Sequence, residues 1–128
     1  MTRWRVAGVM GALGVMMGAF GAHAVKDMVS EEALAWWRTG AQYHMVHALA
    51  LGLVALHPGR PKWAGVAFVV GIVLFSGSLY TMTLTEIQVL GAVTPFGGIS
   101  FITGWLLLAF SPVQSSQANA VSTSQEST

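Results

Sequence analysis

The residues best suited to chemistry are two histidines three positions apart, His44 and His47, in an otherwise largely apolar run over residues 42–56. At i and i+3 on a helix, both rings can address one neighbour or one ion. Imidazole binds zinc, copper and haem iron. His23, Ser76, Ser78, Tyr80 and Thr94 complete a candidate polar set. Fuller catalytic templates are missing. There is no H-E-x-x-H frame, no G-x-S-x-G elbow at Ser76 or Ser78, and no pair of carboxylates within an apolar run. The chain therefore reads as non-enzymatic, with no metal, haem or other cofactor. Hydrogen bonding between helices is the preferred role of the set. A neutral imidazole can donate to Ser76, Tyr80 or a backbone carbonyl. A proton or small-solute path is the alternative, because ionisable groups inside a membrane are functional candidates.

The elements that must position these side chains are membrane helices. Charged residues make up 9% of the 128-residue chain, against about 25% in soluble domains. Hydrophobic residues make up 54%, and the mean hydropathy is +0.63. Four apolar stretches define spans at residues 6–25, 42–56, 63–85 and 95–110. Continuous apolar runs without period-two alternation favour helices over a barrel. The expected fold is all-α: one transmembrane domain over residues 1–110, a four-helix bundle with short loops. A disordered Ser/Thr/Gln-rich tail follows over 111–128.

Ser30 reads as the N-cap of a helix that begins at Glu31, before span two proper. His57-Pro58-Gly59-Arg60-Pro61 breaks the chain between spans two and three. Thr94-Pro95 reads as N-cap and first turn of span four, with Val89 to Val93 partly buried at its outer end. Trp36, Trp37, Trp63 and Tyr80 read as interfacial belt anchors. Span one carries glycines at 8, 11, 14, 18 and 21. This spacing puts Gly11, Gly14, Gly18 and Gly21 near one face for close helix packing, in the bundle or between copies. Counting depth at 1.5 Å per residue, the polar groups of all four spans converge on the outer half of the bundle.

Arg3, Arg5, Arg60 and Lys62 lie on one side of the membrane, and Lys26 and Arg38 on the other. The positive-inside rule then places both termini in the cytoplasm. Ala22-His23-Ala24 after an apolar run mimics a signal-peptidase site, but the run is longer than a usual signal core. Span one is expected to be retained. Net charge +1 and the scattered cations exclude a nucleic-acid surface. The absence of cysteine excludes disulfides and thiol chemistry.

Several ordered segments carry a resemblance: Gly18-Ala19-Phe20-Gly21-Ala22-His23, Gln42-Tyr43-His44-Met45-Val46-His47, Phe75-Ser76-Gly77-Ser78-Leu79-Tyr80, Thr94-Pro95-Phe96-Gly97-Gly98 and Gly104-Trp105. Together they resemble the domain-of-unknown-function 423 family of small membrane proteins, over about residues 6–110. The resemblance implies a multi-pass protein, in bacteria of the inner membrane, with span one kept and no established activity. Glu86 departs from it, where a small or uncharged polar residue is expected. The expected function is that of an accessory or scaffold protein acting through helix contacts. Its partners would be the lipid bilayer and either another membrane protein or a second copy. A carrier or channel-like protein is the alternative.

Overall fold

The structure is a computed structural model that describes residues 1–113. Most of the expected tail, residues 114–128, lies outside the described residues. Four helices and no strands are present among the described residues: α1, Arg3–His23; α2, Glu31–Leu56; α3, Lys62–Thr85; and α4, Thr94–Ala109. Two short 3-10 turns, Val25–Asp27 and Gln88–Ala92, lead out of α1 and into α4. Taken with these turns, α1, α3 and α4 are long and apolar enough to cross a membrane. By hydropathy α2 does not stand out as a clear span. Glu31, Glu32 and Arg38 occupy its first turns, and two histidines follow.

The helix ends have local causes. Ser30 Oγ accepts from the Ala33 amide at 3.2 Å, capping α2. The 57–61 turn is closed by His57 Nδ1, which accepts from the Gly59 amide at 3.0 Å. Helix α3 ends at Glu86, which adopts a left-handed conformation with φ 56°. Thr94 is already helical and does not cap α4, and Pro95 follows in the first turn, where its missing N–H costs nothing. Of the apolar residues before α4, Leu90 and Gly91 are half-buried, but Val89 and Val93 are exposed.

Packing follows a 3.5-residue beat. Ala7, Met10, Gly14, Met17 and Gly21 form the inner face of α1, half-buried or buried. Trp37, Gly40, His44, His47, Leu51 and Val54 form that of α2. This 3,4 alternation is the geometry of left-handed helix pairs. Two apolar cores result, one of Leu51, Val54, Ala64, Phe68, Ile72 and Phe101, the other of Val25, Leu34, Trp37 and Tyr80. On α2 the two histidines lie between these cores.

Where helices cross most closely, glycine is required. A Cβ at Gly97 would lie 2.7 Å from the Phe75 Cα, and one at Gly104 would meet the Phe68 ring. The Phe75 crossing falls in a widened π-helical turn of α3, Ile72–Ser76, bounded by Gly71 and Gly77. Such turns are often found at functional sites. Large apolar side chains remain exposed on every helix, Phe96, Ile99, Ile102 and Leu106 forming one continuous face of α4. So much exposed apolar surface matches a lipid solvent.

Candidate functional site: a polar layer between two apolar cores

His44 and His47 are both buried, each 4% exposed. They do not share a ligand. Their Nδ1 atoms have different partners: that of His44 pairs with the Tyr80 hydroxyl at 3.2 Å, and that of His47 with the Tyr43 carbonyl at 2.7 Å. His47 Nε2 accepts from the Trp105 indole N–H at 3.1 Å. A carbonyl only accepts and an indole only donates. The two bonds together therefore fix His47 as the tautomer protonated on Nδ1. The ring lies flat on Phe101, with centroids 3.5 Å apart. His44 faces α1 at Gly14, whose missing side chain makes room for the ring. Its Nε2 is buried without a hydrogen-bond partner among the described residues.

The hydroxyls of the predicted set fasten helix to helix. Ser76 Oγ donates to the Gly40 carbonyl at 2.7 Å. Ser78 Oγ donates to the Phe75 carbonyl at 2.9 Å and lies 2.7 Å from Thr94 Oγ1. Ser78 has one proton, so Thr94 donates in that pair. By their hydrogen bonds the predicted residues fall into three groups: His44 with Tyr80, Ser76 on Gly40, and Ser78 with Thr94. The first two meet at Gly40, where a Cβ would lie 3.1 Å from the Tyr80 ring. His47 joins Trp105 apart from all three. His23 is exposed at the end of α1 and joins none of them.

Several participants were not singled out for this role from sequence. Thr83 Oγ1 shares its proton between the Ala33 and Leu79 carbonyls. Ser100 Oγ donates to the Ala67 carbonyl at 2.7 Å. Trp37 is 2% exposed, and its indole donates to the Met17 carbonyl at 2.8 Å. Tyr80 is 7% exposed. Trp37 is therefore a core residue rather than a belt anchor, and Tyr80, which the sequence offers both as a belt anchor and as a member of the polar set, is buried beside His44. Trp63, at the start of α3, is 67% exposed. The glycines of α1 also separate. Gly14 and Gly21 face α2, at His44 and at Trp37, whereas Gly8, Gly11 and Gly18 have nothing within 4 Å.

Beside His47 a groove of about 580 Å³ opens sideways between α2 and α4. Tyr43, Phe75, Phe101 and Trp105 wall it, and Gln42 stands at its rim. Among the described residues, no three of His, Cys, Asp or Glu gather as a metal site would need.

A family profile described as "Protein of unknown function (DUF423)" matches residues 17–98, which hold all but the last parts of this polar layer. The chain belongs to this family. The DUF423 chain is 42% identical to a "UPF0382 membrane protein" of Staphylococcus epidermidis over 114 residues, covering 83% of the chain and 93% of the relative. It is 44% identical to the "UPF0382 membrane protein YwdK" of Bacillus subtilis over 108 residues, 80% and 88% of the two chains. A relative from Schizosaccharomyces pombe, also called a UPF0382 membrane protein, is 39% identical over 113 residues, 82% and 96% of the two. No solved structure matches. These relatives and the three apolar helices make this DUF423 chain a membrane protein.

Proposed function

We propose that the protein is a four-span scaffold or accessory protein of the cell's inner membrane, with both termini cytoplasmic, acting through helix contacts rather than catalysis. One observation carries this reading. The buried hydroxyls of Ser76 and Thr83 and the indoles of Trp37 and Trp105 are engaged in bonds between helices. Polar groups committed in this way stabilise a bundle in lipid, where an unsatisfied group is costly. The same bonds support α2 as the fourth span. It holds 26 residues, about 39 Å at 1.5 Å per residue, and its buried polar side chains meet helices that are long and apolar enough to cross. The open glycine face of α1, at Gly8, Gly11 and Gly18, would receive a partner helix or a second copy.

The test is purification in mild detergent with intact mass and cross-linking. A partner or dimer of fixed stoichiometry, lost in Gly11→Leu and Gly18→Leu, is expected. A monomer that captures nothing would sink the reading. Reporter fusions test topology, with Val29 outside and Ser116 inside.

The groove beside His47 favours a second reading, as a carrier of a small solute. The chain has no cysteine, so a single Ile102→Cys on the groove wall reports its environment. The scaffold reading expects no labelling by a membrane-impermeant maleimide. Rapid labelling would favour the carrier.

A further inference from the structure

A second groove, of about 450 Å³, lies where α1 and α3 begin and α2 ends. Buried Leu51 and Val54 form its floor, and Val66 and Val70, each about two-fifths exposed, form an open wall. Arg3 and Lys62 stand at its rim. Nζ of Lys62 lies 5.5 Å from the Trp63 ring centre, beside an indole that favours the interfacial level.

The charge at this end is one-sided. Arg3, Arg5, Arg60 and Lys62 cluster here, whereas Asp27, Glu31, Glu32 and Glu86 all lie in or beside the connections at the other end. Among the described residues, no acid is left to neutralise the groove's rim. Neither α1 nor α3 has an acidic residue in its first turn, but the C-terminus of α2 at this end opposes their dipoles, so the side-chain cations set the sign of the field. An apolar channel facing lipid, crowned by uncompensated cations at the interface, complements a molecule with an acyl chain and a negative head. A zwitterionic lipid would fill the channel but leave the charge unanswered. Basic pockets between transmembrane helices are known to take anionic lipid headgroups.

We propose that this groove binds an anionic phospholipid, with one acyl chain along Val66 and Val70 and the headgroup at Arg3 and Lys62. The lipid joins the start of α1 to the start of α3. These two helices otherwise make almost no direct contact, and Val6, Ala7 and Met10 pack on the core of Leu51, Val54 and Phe68.

The experiment uses the full chain in detergent and counts bound lipid by native mass spectrometry. Phosphatidylglycerol and phosphatidylcholine with identical acyl chains are titrated separately. Wild type should bind phosphatidylglycerol more tightly. Each cation near the surface contributes about a fivefold preference, so Arg3→Gln with Lys62→Gln should weaken that lipid about 25-fold. Binding of phosphatidylcholine should not change. Val66→Trp, which fills the channel and leaves both cations in place, should also lose the preference, and Val70→Trp serves if that variant does not fold. Melting without added lipid checks that each variant is folded. Equal binding of the two lipids by wild type would overturn the proposal, as would a preference that survives the double substitution. Binding of glycerol phosphate as tight as that of the lipid, unaffected by Val66→Trp, would mean a simple anion site and would also overturn it.

Discussion

The Trp105 indole donates to His47 Nε2 at 3.1 Å across the α2–α4 interface, and no charge takes part. The bond determines which proton the imidazole carries, and it forms one wall of the lateral groove. Its loss should be felt as stability. His47→Ala removes two hydrogen bonds and the stack on Phe101. The bond to Trp105 alone is worth about 0.6–1.7 kcal/mol, as for hydrogen bonds between helices in membranes. Trp105→Phe keeps a ring and removes only one bond, so it should cost less. His47→Gln should recover part of the loss, since an amide both donates and accepts. Unfolding in detergent micelles checks this order. Equal melting for all three variants and wild type would show that the pair contributes nothing.

Purified protein should carry no stoichiometric metal or haem. His44 and His47 turn their rings to different partners, Tyr80 and Trp105. His44 Nε2 is unpartnered among the described residues, but both nitrogens of His47 are engaged, so a metal held by the two rings together would have to break a bond of His47 and find a third donor. Elemental analysis and an absorption spectrum decide. About one metal or haem per chain, lost in both His47→Ala and His47→Gln, would move a ligand-binding role to first place.

Helix existence was legible in the sequence because apolar runs of span length have few alternatives in lipid. The start of α2 was legible too, since Ser30 before Glu31 and Glu32 is a local signal, and its cap forms. Facing was much less so. A soluble helix shows its inner face by an apolar stripe, but a membrane helix is apolar all round. Gly14 and Gly18 therefore looked equivalent, although one meets His44 and the other meets nothing. Trp37 suits the belt by type, and its burial and its bond to Met17 are tertiary facts. The polar set was found by depth, but depth does not assign partners. His44–Tyr80 and Ser78–Thr94 depend on rotation about each helix axis, which composition does not encode. The groove at Arg3 and Lys62 requires α1 and α3 to be neighbours, a fact of topology.

The hydroxyl fasteners can be removed without changing shape. Thr83→Val keeps volume and branching but leaves the Ala33 carbonyl without its extra donor. Ser76→Ala does the same at Gly40. Each should lower stability by about 0.6 kcal/mol, the average for such bonds in membranes. The two bonds have separate partners, so the double variant should be close to the sum. Chemical unfolding of the single and double variants measures this. A double variant as stable as wild type would remove these bonds from the account of the fold.

Glu86 should be improvable. Its φ of 56° places a Cβ where the left-handed region costs an ordinary side chain about 1–2 kcal/mol. Glycine avoids that cost but loses about 0.5–1 kcal/mol through the freedom of the unfolded chain. Glu86→Gly should therefore gain about 0.5–1 kcal/mol, and Glu86→Ala, which keeps the Cβ, should gain nothing. The family resemblance led to a small or uncharged polar residue being expected here, and the backbone supplies a physical reason. Thermal unfolding separates the outcomes. An alanine variant as stable as the glycine variant would point to the lost charge instead.

The glycines of α1 should respond to bulk in opposite ways. A Cβ at Gly14 would come 3.1 Å from the Met45 Cε and 3.5 Å from the His44 ring. A leucine there would force α1 from α2, at about 1–3 kcal/mol for overpacking. Gly21 is tighter still, since a Cβ would run into the Trp37 indole and disturb its bond to Met17. Gly21→Leu should be the more damaging of the two. Gly18 has nothing within 4 Å, so Gly18→Leu should leave the isolated chain within about 0.5 kcal/mol of wild type. If the open face docks a partner or a second copy, the same substitution should abolish that assembly. Melting and cross-linking on the three variants therefore read two properties separately. Melting ranks the contact of α1 with α2. Cross-linking tests the outer face, and an unchanged cross-linked species in Gly18→Leu would mean that lipid alone covers it.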